Sequence, residues 1–150
     1  MSSVTNVLRI GRNSNKFISY VQWDDKPETG VLCFYGGSMK IVEKPWGREL
    51  WIAHTERYAL KIIEVKKGHR SSLQYHEKKH EHIYVDEGRL EVEWENDAGE
   101  METRVLEPGD VIENKPGRKH RVTPLEDVRL IEVSTPELDD VVRVEDDYNR

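Results

Sequence analysis

The chain has 150 residues, which is enough for one domain of ordinary size but leaves no room for a second catalytic domain. Charged residues make up 35% of it and the formal net charge is −6, so nothing in the composition indicates nucleic-acid binding. The single cysteine excludes an intrachain disulfide, and no apolar run approaches the length of a membrane span. We therefore expect a cytoplasmic protein that binds neither nucleic acid nor membrane.

The N-terminal part is predicted to form a β-hairpin. FISYVQW and VLCFY have the composition of two strands joined by the polar turn DDKPETG, and Gly36-Gly37 then interrupts the pattern. We assign residues 1–37 to an N-terminal hairpin extension and residues 38–150 to the main domain. The hairpin could cover a barrel edge, pair with a second subunit or form a lid, and the sequence does not choose among these roles.

The main domain is predicted to be all-β, a barrel or a sandwich. Short strand-like segments follow one another between turn signals, with no long stretch of helical apolar period. The predicted strands are KIVE, ELWIAH, YALKIIEV, HIYVDEG, RLEVEWEN, ETRVL, DVIEN, HRVTP and VRLIEVS. Lys61 shares a strand face with the apolar Ile63 and Val65. Its ammonium therefore lies either inside the barrel or at the surface at the end of a snorkelling side chain.

Four side chains have the order and chemistry of a metal site. Gln74 and His76 project from one face of an extended strand, and Glu81 can return to that face after a short turn. His120 arrives much later, after the turn at Pro116-Gly117. Two imidazoles, a carboxylate and an amide oxygen suit one divalent ion, with zinc our first choice and manganese, iron, cobalt or nickel also compatible.

The same residues resemble the two motifs of the cupin superfamily. The first motif is matched by Gly68, Gln74, His76, Glu81 and Gly88, with Gln74 in place of a histidine, and the second by Gly109, Gly117 and His120. The resemblance implies a cupin double-stranded β-helix, also called a jelly-roll barrel, and the four-residue metal set.

Longer segments are similar to the C-terminal isomerase domain of type II phosphomannose isomerases. They are VEKPWGRELW, YALKIIEVKKGHRSSLQYHEKKHEHIYV, PLEDVRLIEV and DDVVRVEDDYNR. This similarity implies metal-dependent interconversion of mannose 6-phosphate and fructose 6-phosphate, with Lys44, Arg143 and Arg150 at basic positions tied to activity. A homodimer is a family expectation. No glycine-rich nucleotide loop is present, so we do not expect guanylyltransferase activity.

The chemistry of an isomerase agrees with these residue types. A general base must move a proton between C1 and C2 of the sugar, and Glu81, His82, Lys61 and Glu132 are the candidates. His82 follows Glu81 directly, so on a strand it should point to the opposite face.

The phosphate of a sugar phosphate needs cationic partners. Lys44, Lys61, Arg143 and Arg150 are the candidates, and guanidinium forks fit phosphate oxygens well. The alternative for the two arginines is a solvated charge run at the C-terminus.

Two other classes of function compete with the isomerase. One is a non-catalytic sugar-binding or regulatory cupin, since a fold does not fix a function. The other is a different metal-dependent cupin enzyme, an oxygenase or a nucleotide-sugar epimerase. An oxygenase would be expected to pair its metal with an apolar pocket, whereas the basic positions indicate an anionic ligand.

Overall fold

The computed structural model describes the backbone of residues 11–13 and 16–18, and residues 39–150 in full. The contacts divide the chain into two compact units, Met1–Gly36 and Gly37–Arg150. In the first unit, strand β1 (Gly11–Asn13) pairs antiparallel with β2 (Lys16–Ile18). The predicted FISYVQW–VLCFY hairpin lies outside the described residues apart from Phe17 and Ile18, and it stays a prediction.

The second unit consists of two antiparallel sheets. Its strands are β3 (Lys40–Lys44), β4 (Gly47–His54), β5 (Ala59–Val65), β6 (Leu73–Tyr75), β7 (Glu81–Glu87), β8 (Leu90–Glu95), β9 (Met101–Leu106), β10 (Val111–Asn114), β11 (His120–Pro124), β12 (Val128–Ser134) and β13 (Val142–Glu145). One sheet has the order β10-β7-β12-β5-β4-β3, and the other has the order β13-β6-β11-β8-β9. Neighbours in these orders are often far apart in sequence, as a jelly roll requires.

The core lies between the two sheets because the strands alternate apolar and polar positions. In β5, Ala59, Lys61, Ile63 and Val65 are all buried while the residues between them are partly exposed. The inner faces of the neighbouring strands meet them. The core residues are Trp46, Ile63, Val65, Ile83, Val85, Leu90, Val92, Ile112, Val122, Val128 and Leu130. The all-β prediction is confirmed, and among residues 39–150 there is no helix.

Glycine is required at two tight connections. Gly88 adopts φ 77° between β7 and β8, and a Cβ there would lie 2.3 Å from the carbonyl oxygen of Asp127. Gly47 has φ 151°, and its Cβ would overlap the carbonyl oxygen of Glu64. Only glycine fits such positions, because it has no Cβ.

Two strands of the second unit, β6 and β13, are missing from the list of predicted strands, although the metal-site argument already places Gln74 and His76 on an extended strand. Both are short, and β13 lies within the charged C-terminal segment. β13 is formed through its pairing with β6, and no local sequence pattern indicates that pairing. No helix in the described part of the chain has the length and apolar character needed to cross a membrane.

Candidate metal centre

His76, Glu81 and His120 converge between the two sheets. The Nε2 atom of His120 lies 3.3 Å from one oxygen of Glu81, and Nε2 of His76 lies 3.9 Å from the other. The two imidazole rings are 5.4 Å apart. All three residues are buried, so their donor atoms face one another away from bulk solvent.

The strand pattern explains this convergence. Glu81 begins β7, where it shares the inward face with Ile83, and His120 begins β11. His76 directly follows β6, and Gln74 within β6 is the register partner of His120. Gln74 lines the same cavity, and its Oε1 accepts a hydrogen bond of 2.7 Å from Ser72. The four predicted ligands therefore come together in one place.

Hydrogen bonds to the backbone set both imidazoles for metal binding. Nδ1 of His76 is bonded to the carbonyl oxygen of Asp140, and Nδ1 of His120 lies 3.1 Å from that of Arg118. A carbonyl only accepts, so each Nδ1 carries the proton and each Nε2 keeps its lone pair. Within the described structure, the buried Nε2 of His76 has no hydrogen-bond partner. This donor set fits a divalent transition metal ion.

The charge states also suit a metal. Burial, together with the nearby ammonium of Lys79, lowers the pKa of His76 to about 4. Burial likewise lowers the pKa of His120. Burial alone would raise the pKa of Glu81, but Lys79, His120 and His76 outweigh it and bring the value to about 2. At neutral pH the cluster is two neutral imidazoles and one carboxylate, the forms that bind metal.

Lys79 is a member of the site that sequence reasoning missed. It is buried, with Nζ 2.5 Å from Glu81 and 3.3 Å from Glu132. Burial disfavours its ammonium, yet the two carboxylates more than compensate and its pKa is raised. No local signal marks it, because a charge run such as HEKKH at residues 76–80 usually faces solvent. A metal ion bound by this cluster would compete with Lys79 for the Glu81 carboxylate.

Asp140 is a second residue that sequence reasoning missed. Its carboxylate accepts hydrogen bonds from the backbone N–H groups of Glu77, Lys78 and Lys79, at 3.1, 2.6 and 2.9 Å. Its carbonyl oxygen holds His76. Asp140 thereby fixes the loop between β6 and β7 and orients one ligand within it.

A cavity of about 520 Å³ opens beside the cluster. The predicted substrate residues Lys44, Lys61, Arg143 and Arg150 all line it. His82 does not, since it is exposed on the outer face of β7. The sequence expectation for its direction is confirmed, since its imidazole is separated from the cavity by the sheet.

Lys61 belongs to the interior. Its side chain is 6% exposed, with Nζ 2.9 Å from Glu132 and 3.9 Å from Glu49. Lys44 lies nearer the rim, 3.4 Å from the other oxygen of Glu49. The alternative of a surface lysine at position 61 is thus excluded, and its charge is part of a buried network.

The C-terminal segment joins the five-stranded sheet at its edge, through the pairing of β13 with β6. Tyr148 packs against the core, and its hydroxyl lies 3.2 Å from Nδ1 of His69. Arg150 forms a two-point contact with Asp146, at 2.7 and 3.1 Å. Arg143 is exposed, and among the described residues its guanidinium has no ion-pair partner. The two arginines therefore differ in their availability to a ligand.

Comparison with protein families adds to this geometry. Residues 37–146 match the family model described as mannose-6-phosphate isomerase C-terminal. The chain belongs to this family. It is 37% identical over 114 residues to mannose-1-phosphate guanylyltransferase ManC of Salmonella typhimurium, and 36% identical over 114 residues to mannose-1-phosphate guanylyltransferase of Escherichia coli. Each match covers 73% of this chain but 23% of the relative.

Solved structures show that the fold is that of a cupin. KdgF from Halomonas sp. is 27% identical with a TM-score of 0.59, over 67% of this chain and 91% of that one. Oxalate decarboxylase from Bacillus subtilis is 17% identical with a TM-score of 0.64, over 71% of this chain and 30% of that one. The predicted cupin jelly roll is confirmed.

Three residues of the family-like segments have structural explanations. Trp46 of the KPWG segment is buried in the core, and Gly47 makes the close approach to Glu64 described above. Asn149 of the DDVVRVEDDYNR segment has φ 54°. Asparagine tolerates this left-handed conformation better than most residues, so it suits the turn.

Proposed function

We propose that this chain is a metal-dependent isomerase that interconverts mannose 6-phosphate and fructose 6-phosphate. The observation that carries the proposal is that one cavity is lined by the His–His–Glu cluster, by the buried lysine–glutamate network and, at the edge of the cavity, by Arg143. Family membership supports the substrate class. The proposed ligands are His76, Glu81, His120 and Gln74, with zinc as the first choice of ion.

In the direction from mannose 6-phosphate to fructose 6-phosphate, the reaction moves one proton from C2 to C1 of the open-chain sugar and one from the hydroxyl at C2 to the oxygen at C1. A bound divalent ion supplies electrostatic stabilisation of the negative charge that develops on the sugar oxygens. The protein must also supply a base near those carbons and donors near the oxygens.

Glu132 is the proposed base. Its buried carboxylate faces the cavity from β12 and is not among the proposed metal ligands. Glu81 is engaged in the metal cluster, and His82 lies outside the cavity. Glu132 would take the proton from one carbon and return it to the other, so no net proton is gained or lost.

Lys61 and Lys79 are the proposed donors to the sugar oxygens. Their ammonium groups flank Glu132, at 2.9 and 3.3 Å. Each ammonium has three N–H bonds, so a contact with Glu132 leaves others for substrate. Fixed positive charge next to the reacting oxygens would stabilise an enediolate without reorganisation.

Arg143 is the proposed principal phosphate contact. It is the register partner of Gln74, which is in turn the register partner of His120. The strands lie about 4.8 Å apart, so the backbone of Arg143 is roughly 10 Å from that of His120. This separation suits a sugar with its reacting carbons at the metal cluster and its phosphate at the edge. Arg150 contributes less, because Asp146 already holds its guanidinium.

The test is a substrate comparison with metal control. Isomerisation is measured with mannose 6-phosphate and with mannose, using protein that is zinc-loaded, chelator-stripped and reloaded. We expect turnover of the phosphorylated sugar alone, lost on stripping and restored on reloading. Binding of mannose 6-phosphate without turnover by the zinc-loaded, manganese-loaded and iron-loaded protein would contradict the isomerase and favour a non-catalytic cupin.

A further inference from the structure

A second cluster of metal-ligand side chains lies on the outer surface of the six-stranded sheet. His80, His82 and Glu113 each place a ligand atom within 4.8 Å of the others. Nε2 of His80 is 2.9 Å from Oε1 of Glu113, and the rings of His80 and His82 are 5.3 Å apart. All three are at least partly accessible to solvent.

This outer cluster is separate from the inner centre. Side chains alternate along β7, so Glu81 points into the cavity while His82 points to the opposite face. Glu113 is the register partner of His82 and faces outward with it, whereas its neighbour Asn114 is buried and donates to Glu81. The sheet itself therefore divides the two sets of ligands.

The backbone holds the outer ligands in place. His82 and Glu113 sit on paired strands, and their relative position is fixed by the β7–β10 ladder. His80 is anchored on both sides, because its N–H donates to Oγ1 of Thr135 at 3.1 Å and its carbonyl accepts from the N–H of Thr135 at 3.0 Å. Little reorganisation is needed to bring three donors onto one ion.

An exposed ion pair does not explain the whole cluster. A contact between His80 and Glu113 would account for two of the residues, but His82 brings a second imidazole to the same carboxylate. Two imidazoles and one carboxylate form a ligand set that suits zinc, cobalt, nickel or copper. Lys115 lies 4.0 Å from Glu113, and its positive charge opposes a bound cation. The outer site should therefore bind more weakly than the inner one.

We propose that His80, His82 and Glu113 form a second, solvent-facing site for a divalent transition metal ion, with water completing the coordination. The protein then binds two zinc ions per chain. This inference does not depend on the isomerase proposal, since none of the three residues lines the cavity.

The experiment is zinc titration by calorimetry, with bound zinc confirmed by elemental analysis after dialysis. Wild type should bind two ions. His82→Ala and Glu113→Gln should each weaken the outer site at least tenfold while leaving the inner site unchanged. His54→Ala is the matched control, because His54 is exposed elsewhere and bonds to a backbone carbonyl. It should behave as wild type, and Lys115→Ala should tighten the outer site.

A second measurement isolates the outer site. In a His76→Ala/His120→Ala protein, added cobalt should give visible absorption bands that disappear on His82→Ala. If that protein does not fold, a His82→Ala/Glu113→Gln protein tests the same point by falling from two zinc ions to one. Binding of one ion by wild type that both outer variants retain, or zinc stoichiometry and affinity unchanged in both outer variants, would overturn the proposal.

Discussion

Replacing Lys79 with methionine should have opposite effects on the metal-free fold and on metal affinity. The Lys79 ammonium lies 2.5 Å from Glu81 and 3.3 Å from Glu132 in a buried setting. Methionine is similar in length to lysine but carries no charge. The variant therefore leaves the buried negative charges of Glu81 and Glu132 with less positive charge to balance them. Breaking a buried ion pair in this way costs about 3–5 kcal/mol. For a domain of this size that corresponds to a fall in Tm of roughly 10–20 °C without metal.

Metal binding should improve in the same variant. The interior network has two lysines, Lys61 and Lys79, and three glutamates, Glu49, Glu81 and Glu132. The loss of one positive charge next to Glu81 removes both a competitor for that carboxylate and a repulsion on the incoming ion. Even a gain of about 1.4 kcal/mol would tighten zinc binding tenfold. Zinc should consequently raise the Tm of the variant more than it raises that of wild type.

The assay is thermal melting with and without zinc, together with zinc titration, in a His82→Ala background that weakens the outer cluster. Lys78→Met is the control, because Lys78 is the exposed neighbour. If Lys79→Met and Lys78→Met had equal metal-free Tm values and equal zinc affinities, Lys79 would not be the buried counter-charge described here.

Three further predictions concern pH, phosphate and a turn. In the metal-free protein the pKa of His76 is lowered from 6.5 to about 4, so its contribution to stability is complete above pH 6.5 and is lost as pH falls to 4. The loss should be about 2–3 kcal/mol in urea unfolding, and His76→Gln should reduce it. Arg143→Ala should lower kcat/KM for mannose 6-phosphate roughly tenfold to a hundredfold with little change in Tm. Arg143→Lys should restore part of that loss, and unchanged kinetics in Arg143→Ala would place the phosphate elsewhere. Gly88→Ala should lower the free energy of unfolding by about 1–3 kcal/mol more than Gly99→Ala does. Gly99 is the control because it has a similar φ but open space where a Cβ would lie, and equal losses would contradict the steric argument.

The sequence predicts the fold well because jelly-roll strands carry local signals. Period-two alternation in YALKIIEV places Lys61 with Ile63 and Val65, and the structure buries all three. Glycine-containing turns end the strands where the chain must take positive φ. Strands β6 and β13 escape this kind of prediction, because the pairing of Gln74 with Arg143 comes from residues far apart in the chain.

The convergence of the candidate ligands can be predicted because spacing on a strand fixes the direction of a side chain. Gln74, His76, Glu81 and His120 lie where the two-motif pattern implies. Lys79 could not be identified, since its burial depends on Glu81 and Glu132, which reach it from different strands. The role of Asp140 was equally invisible, because it acts through its backbone carbonyl and through a loop that only the folded chain brings near.

The outer cluster, unlike the inner candidate ligands, could not be predicted from spacing along the chain. His80 and His82 lie in the same short segment as Glu81, but the sequence offers no reason to join them to Glu113. The register of β7 with β10 makes that connection. Strand pairing, which depends on the whole sheet, therefore decides which titratable groups become neighbours.

The measurement that tests the central claim most directly is proton NMR of mannose 6-phosphate in D₂O with the zinc-loaded protein. The account predicts formation of fructose 6-phosphate, with deuterium at C1 in the fraction of turnovers in which the proton held by Glu132 exchanges with solvent, and a rate reduced about 10²–10⁴-fold in Glu132→Gln at unchanged zinc content. Mannose 6-phosphate that stays unconverted and free of deuterium, with zinc bound at the inner centre, would contradict it.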